Sequence, residues 1–252
     1  MAHDFDTSIP IEEASTPPAS WYQAPKYLTL EEEKVFRRRW HFVGRVDQVQ
    51  KPGDYFAGQL LSDPYVVVWG DDGELRAFFN VCRHHAAVVA DGEGCAKELT
   101  CPYHGWRYAL DGRLRKAPRL GPAKNFNVAE FGLVPMHVTT WGPLVAICPA
   151  RMDETEAPMH PDTCWSDLTS QLQSMDWENL VFKERREYEM ACNWKVYVDN
   201  YLDGGYHVSV LHEDLSAGLD LSSYETILGD EMVLQKVGGL GGARIGDKAL
   251  YA

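Results

Sequence analysis

The sequence predicts an α+β chain in which a small all-β domain precedes a mixed domain. Three observations carry that prediction. Between Asp54 and about Ile147, short apolar or alternating runs (YVVVW, LRAFF, MHVTTW, LVAI) are separated by Gly, Asp and Pro, the texture of strands joined by turns. Asp71-Asp72-Gly73 and Asp111-Gly112 have the residue types that hairpin turns demand. In the second half, helical and strand-like runs alternate.

Residues 1–20, MAHDFDTSIPIEEASTPPAS, have neither a basic start nor an apolar core. They read as a disordered polar tail and not as a signal peptide. Thr29 followed by Glu32 resembles a capping box, so LEEEKVFRRRW is expected to be a helix. This helix and the β runs make up a domain over 21–150. Residues 149–165 contain three prolines and little periodicity, which fits a linker. A helix is expected over 166–177, a strand over 184–192 (ERREYEMAC), a helix over 193–207 despite Gly204-Gly205, and one or two strands over 224–237. The second domain is therefore placed at 151–252. No internal repeat or low-complexity tract is present.

Charge and length exclude some functions. Lys plus Arg total 24 against 37 for Asp plus Glu, a net −13, which argues against nucleic acid as the main partner because phosphates require a positive footprint. No apolar run approaches the roughly 18 residues of a membrane span, so a cytoplasmic protein is expected. Six cysteines are too sparse for a disulfide scaffold; in a reducing compartment they are thiols or metal ligands.

Two short pairs stand out, Cys82-Arg83-His84 and Cys101-Pro102-Tyr103-His104, with sixteen residues between His84 and Cys101. A Rieske-type [2Fe–2S] centre, one iron on two thiolates and the other on two imidazoles, needs this donor set. Each loop tip would supply one Cys and one His. Neutral imidazoles in place of two thiolates make such a site less negative and raise its potential, to roughly −150 to +300 mV. Zinc also takes Cys2His2 sites, but its usual spacing pairs the cysteines and the histidines separately. A Cys82–Cys101 disulfide would leave both histidines unexplained. His85 breaks the pair spacing and reads as a surface histidine, and Cys95 as a free thiol. Cys148, Cys164 and Cys192 read as buried apolar residues.

A second constellation lies in NWKVYVDNYLDGGYHVSVLH, Asn193 to His212. On one continuous helix Asn200, Asp203 and His207 would share a face. His207 and His212 would point about 140° apart, and converge only if the helix ends or widens near Val208-Ser209. Two imidazoles, a carboxylate and open positions form the facial triad of non-haem Fe(II) oxygenases. The H-x4-H spacing alone is weak; an electron-storing cluster upstream raises its value. Asp199, four after Lys195, has a helix-surface ion pair as its plain explanation. Asp203 suits the role of orienting a ligand histidine through its other ring nitrogen. Tyr197, Tyr201 and Tyr206 read as packing residues.

CRH…CPYHGW together with NWK…DNYLDGGYH…H resembles the α subunits of Rieske non-haem iron oxygenases, the ring-hydroxylating family, from about Trp21 to the last residue. DNYLDGGYHV, with GLVPMHVTTWGP upstream, looks most like the choline monooxygenase-like branch, whose substrates are trimethylammonium compounds. The resemblance implies a Rieske domain followed by a helix-grip-type catalytic domain. It implies a ferredoxin or flavin reductase as electron donor, O2 and a small organic molecule as substrates, and a homo-oligomer, a trimer. It makes His207 and His212 ligands of a mononuclear Fe(II).

Two departures stand out. Many members carry a bridging carboxylate three residues before the first iron-binding histidine, where this chain has Gly204; Asp203, one position earlier, is the candidate for that bridge. Family α subunits also continue well past this point and supply a third iron ligand from a late carboxylate. This chain stops at ALYA. Asp214, Asp220, Asp230, Glu231 and Asp247 are among its last acids, and none holds the family's late position. The expectation is therefore a fragment with an incomplete catalytic domain and its third ligand beyond residue 252. The competing expectations are a Rieske ferredoxin-like electron carrier without catalysis of its own and a degenerate structural subunit. The 101–120 segment holds Arg107, Arg113, Arg115, Lys116 and Arg119 against Asp111, and is expected either to dock the electron donor or to be an ordinary solvated face.

Overall fold

The computed structural model describes residues 5–6, 8–121, 123–152, 156–173, 175–229 and 232–240. A 3-10 turn over Ile11–Glu13, inside the stretch expected to be a disordered tail, precedes helices α1 (Ser20–Gln23) and α2 (Pro25–Lys34). Pro25 opens α2, a position where the missing N–H goes unnoticed, so Thr29 lies inside the helix and does not cap it. The run FRRR beyond is a short 3-10 turn, Phe36–Arg38.

Strands β1 (His41–Arg45), β2 (Asp54–Leu60), β3 (Asp63–Trp69), β4 (Leu75–Phe79) and β5 (Glu93–Cys95) follow. Next come the short β6 (Leu99–Thr100), β7 (Arg107–Tyr108) and β8 (Leu114–Lys116), then β9 (Pro135–Trp141) and β10 (Leu144–Arg151). Seven of these form one antiparallel sheet in the order β1-β10-β9-β4-β3-β2-β5, and β6-β7-β8 form a small second sheet. Both turns expected from sequence are present: 71–73 joins β3 to β4, and 111–112 joins β7 to β8. YVVVW is apolar throughout because β3 is covered on both faces. Val66 and Val68 pack with Phe78, Leu99, Trp106 and Leu110, whereas Tyr65 and Val67 pack with Phe56, Met136 and Ile147. Val66, Val67 and Val68 are each 0% exposed, and burying such a side chain stabilises by about 1.5 to 3 kcal/mol.

The β unit extends beyond residue 150. Residues 28–182 form one compact unit, and 1–27 with 183–252 form the other; a division after residue 150 does not coincide with this partition. Trp177 explains the difference. Its ring lies 4.7 Å from that of Trp141 and fills the space over Gly142, where a Cβ would sit 2.3 Å from it. Arg45 Nη2 donates to the Leu180 carbonyl at 2.6 Å. The expected linker contains α3 (Pro161–Cys164) and leads into α4 (Ser166–Gln173), whose Thr169 hydroxyl accepts from Trp141 Nε1 at 2.9 Å.

In the other unit, the strand expected over 184–192 is not formed: among the described residues no strand pairs with it, and an alternating run without a ladder leaves its backbone groups unsatisfied. The helix expected over 193–207 is α5 (Trp194–Tyr201), capped by the Asn193 side chain, which accepts from the Lys195 amide at 3.0 Å. It stops because Gly204 and Gly205 both adopt φ +73°, outside the helical region. Two short helices, α6 (Val208–Leu211) and α7 (Glu213–Ser216), lead into the hairpin β11 (Leu219–Leu228) and β12 (Val233–Gly239). Among the described residues, no helix is long and apolar enough to cross a membrane.

Candidate metal centres

The two Cys–His loops have the same backbone frame. The Cys82 amide donates to the Ala87 carbonyl at 2.8 Å, and the Cys82 carbonyl accepts from the Ala86 amide at 3.0 Å. The Cys101 amide donates to Trp106 at 2.8 Å, and its carbonyl accepts from Gly105 at 3.0 Å. Each knuckle closes on a left-handed residue, Ala86 (φ +58°) and Gly105 (φ +72°). This closure points the sulfur inward and the following imidazole outward. Cys82 and Cys101 are 3% and 2% exposed, whereas His84 and His104 are exposed with ring centroids 4.8 Å apart.

The surroundings fit a cluster. Burial raises the Cys101 thiol, the backbone amides of Tyr103 and His104 oppose that, and the adjacent Cys82 sulfur adds to it. Those two amides are directed at the sulfur and would favour a thiolate there. The Tyr108 hydroxyl accepts from the Arg83 amide at 3.0 Å and lies 3.2 Å from Cys82 Sγ. An amide N–H can only donate, so the phenolic proton is free to point at the sulfur. Trp106 stacks on His84, centroids 4.8 Å apart and planes within 6°. The His84 imidazole is lowered by desolvation first, then by His85 and His104. Asn80, 1% exposed, braces the first loop, donating to Ala90 O at 2.7 Å and accepting from the Val89 and Ala90 amides. Sequence reasoning assigned no role to Asn80, Trp106 or Tyr108; their places just before the first motif and just after the second were the only signal for them.

His85 is exposed, as expected, yet its ring centroid lies 3.9 Å from that of His84. Among the described residues, His84, His85 and His104 are the one group of three ligand-type side chains whose donor atoms lie within 4.8 Å of one another. A groove of about 470 Å³ runs beside the imidazoles, between Tyr103, Trp106 and Arg119. Arg107, Arg113, Arg115, Lys116 and Arg119 are all exposed; Arg107 pairs with Glu98 and Arg113 with Asp111.

The second constellation is built differently. His207 and His212 are the cap residues at the two ends of α6, and their ring centroids come within 5.3 Å. The chain departs from helical geometry before His207 and again at His212, not at Val208-Ser209. Asp203 Oδ2 bonds His207 Nδ1 and also accepts from the His207 amide at 3.3 Å, while Oδ1 accepts from Gly205 N at 2.8 Å. That bond holds the Asp203 carboxyl below its usual range and leaves Nε2 of His207 for a metal. Asn200 is exposed on α5 and shares no helical face with His207, because the helix ends between them. No carboxylate joins the two histidines as a third ligand among the described residues; Asp230, Glu231 and Asp247 lie outside those residues. Asp220 is engaged by Ser222, and Asp214 is exposed. The packing assigned to Tyr197, Tyr201 and Tyr206 is not found: they are 58%, 55% and 86% exposed. Of the cysteines outside the loops, Cys148 is buried as expected, whereas Cys164 is half-buried and Cys192 exposed.

Comparison with known proteins gives the two halves separate identities. Residues 39–130 match the Rieske [2Fe-2S] domain, and residues 177–248 match the ring hydroxylating alpha subunit (catalytic domain). A [2Fe–2S] cluster and a mononuclear iron are the cofactors these domains imply. The chain is 41% identical to a chloroplastic choline monooxygenase of Arabidopsis thaliana, matching over 100% of its own length and 63% of the relative's. It is 31% identical to a carnitine monooxygenase oxygenase subunit of Acinetobacter pittii (strain PHEA-2), over 84% of this chain and 56% of that protein. A crystal structure of the quaternary ammonium Rieske monooxygenase CntA superposes with a TM-score of 0.82 at 27% identity, covering 90% of this chain and 62% of that one. The chain thus spans about three-fifths of the length of these relatives.

Proposed function

We propose, from a chain whose two domains make it a Rieske oxygenase α subunit, that it takes part in hydroxylating a small quaternary ammonium compound with O2. The observation that carries this reading is the pair of like-framed loops, thiols buried and imidazoles exposed, ahead of a His–His turn braced by a carboxylate. Cys82, His84, Cys101 and His104 would hold the [2Fe–2S] cluster, and His207 and His212 the mononuclear Fe(II). When bound, the cluster supplies one electron at a time and the iron supplies open positions for O2.

The chain's own residues set the conditions for that chemistry. Buried cysteines keep water from the sulfur side. Asp203 fixes the His207 tautomer, so that Nε2 carries the lone pair. Asn200, exposed near the end of α5, is assigned a supporting role at the same turn. The exposed Arg113, Arg115, Lys116 and Arg119 support an electron donor, ferredoxin or flavin reductase, with an acidic docking face. A homo-oligomer, a trimer, and a cytoplasmic location complete the proposal.

Iron analysis of the reconstituted protein tests it. About three irons per chain are expected for both sites, and about two for an electron carrier. In a form of the protein that supplies a third iron ligand, product formation is expected with an electron donor, O2 and a trimethylammonium compound, and His207→Ala should abolish it while sparing the cluster signal. An iron count of about two without product would replace the oxygenase with the carrier.

A further inference from the structure

We propose that Tyr22 is a positioning residue for the His207–His212 site: the N-terminal segment grips helix α5 and thereby fixes the start of the turn that carries Asp203 and His207. This rests on the reading of His207 and His212 as iron ligands. Tyr22 Oη donates to Asp199 Oδ2 at 2.6 Å, a link between residues 177 apart in sequence. The Lys195 ammonium lies 5.5 Å from the Tyr22 ring centroid and 5.2 Å from that of Trp194. Lys195 and Asp199 lie one turn apart on α5, so one helix face offers a cation to the phenol's π face and a carboxylate to its hydroxyl. The Tyr22 phenol is raised first by its bond to Asp199. Behind it, Trp21 packs against Phe5 at 5.7 Å and against Tyr27 at 5.9 Å.

The need for such a grip follows from α5 itself. The helix has eight residues and buries none of them. A helix this short does not persist in water on its own propensity, and its orientation is set by tertiary contacts. Asn193 caps one end; Tyr22 engages the middle. Residues beyond the grip, Asn200 and then Asp203, inherit the helix direction, and Asp203 passes it to His207.

The test uses the cluster-loaded protein with the substitutions Tyr22→Phe, Asp199→Asn and both together. Hydrogen exchange over 194–201 and Co(II) binding, read by visible absorption, are measured beside the cluster EPR signal. Each single substitution is expected to speed exchange about five-fold and weaken Co(II) binding by about three- to ten-fold, with the pair no worse than either alone. The EPR signal should not move. Unchanged exchange, multiplying effects, or faster exchange with unaltered Co(II) affinity would each overturn the positioning role. Co(II) uptake that survives His207→Ala would instead overturn the iron-site reading and the positioning role with it; the coupled exchange effect would then still show that the grip exists.

Discussion

Cys82 and Cys101 are 3% and 2% exposed, in loops each closed by a pair of backbone hydrogen bonds. His207 and His212 flank one short helical turn, in a stretch where Val208 is the only buried residue among those described from 183 onward. The first site is pre-shaped: the main chain turns both sulfurs inward and both imidazoles outward. The second depends on two glycines that break a helix and on one carboxylate that steers one ring. A backbone-locked site should tolerate changes around it and fail when a donor is lost, whereas a site held by one side chain should fail in steps.

The largest expected effect breaks the first half of the comparison. His84→Ala or His104→Ala should cut cluster content at least about ten-fold, because an iron left with an unfilled position has no substitute donor in a frame set for two imidazoles. The rhombic EPR signal after dithionite reports it, and its persistence in either variant would remove the ligand assignment. Asp203→Asn should weaken metal binding at His207 by about 10- to 100-fold, read by Co(II) titration, with the cluster signal constant. The same brace predicts an acid limit. Asp203 is held below the usual carboxylate range, first by its bond to His207. The ionised carboxylate therefore favours the folded turn at pH values above the ordinary carboxylate pKa, and that contribution is lost as pH falls through the lowered value.

Two smaller effects sharpen the claim that the loops share a frame. Ala86→Gly should stabilise the β unit and Gly105→Ala destabilise it, each by about 1 kcal/mol, because both positions sit in the left-handed region that costs an L-residue roughly that much. Gly105 has room for a methyl group, its nearest neighbour being 3.7 Å from the added Cβ, so denaturant unfolding would read conformation and not a clash. Equal signs for the two changes would show that the knuckles are not equivalent. Tyr108→Phe should lower the cluster potential by about 40 mV, the one-electron equivalent of a hydrogen bond worth about 1 kcal/mol to the more negative, reduced state. Protein-film voltammetry measures it; an unchanged potential would mean that the hydroxyl proton points elsewhere.

The parts legible in the sequence are those governed by neighbours along the chain. Turn residues placed the hairpins at 71–73 and 111–112, and the Cys–His spacing marked the two knuckle loops, because each loop is a local object. Readings that required knowledge of what lies opposite went astray. The alternation over 184–192 is a strand pattern with no strand paired to it among the described residues. The helical pattern over 193–207 continued past Gly204 and Gly205, whose φ of +73° could not be read from a pattern that the flanking residues satisfied. A compact-unit boundary at 182/183 was hidden because Trp177 reaches back to Trp141. The Tyr108–Cys82 contact joins residues 26 apart through tertiary packing alone. In the second constellation, spacing singled out His207 and His212, while the way their rings come together was not readable from it.

The repeated knuckle has a consequence for how this kind of protein can vary. Each loop carries its own closure within six residues, from Cys82 to Ala87 and from Cys101 to Trp106. Apart from Val89 and Ala90, which Asn80 ties to the first loop, the stretch between the loops makes no hydrogen bond in either closure. It includes the edge strand β5, with its exposed Glu93–Cys95. Insertions or deletions there should be felt in solubility and in which molecules can approach, while the distance between the two donor pairs is left to the sheets beneath them. The knuckle is in this sense a modular part, and grafting either six-residue loop onto an unrelated hairpin of the same twist should carry its Cys–His geometry along.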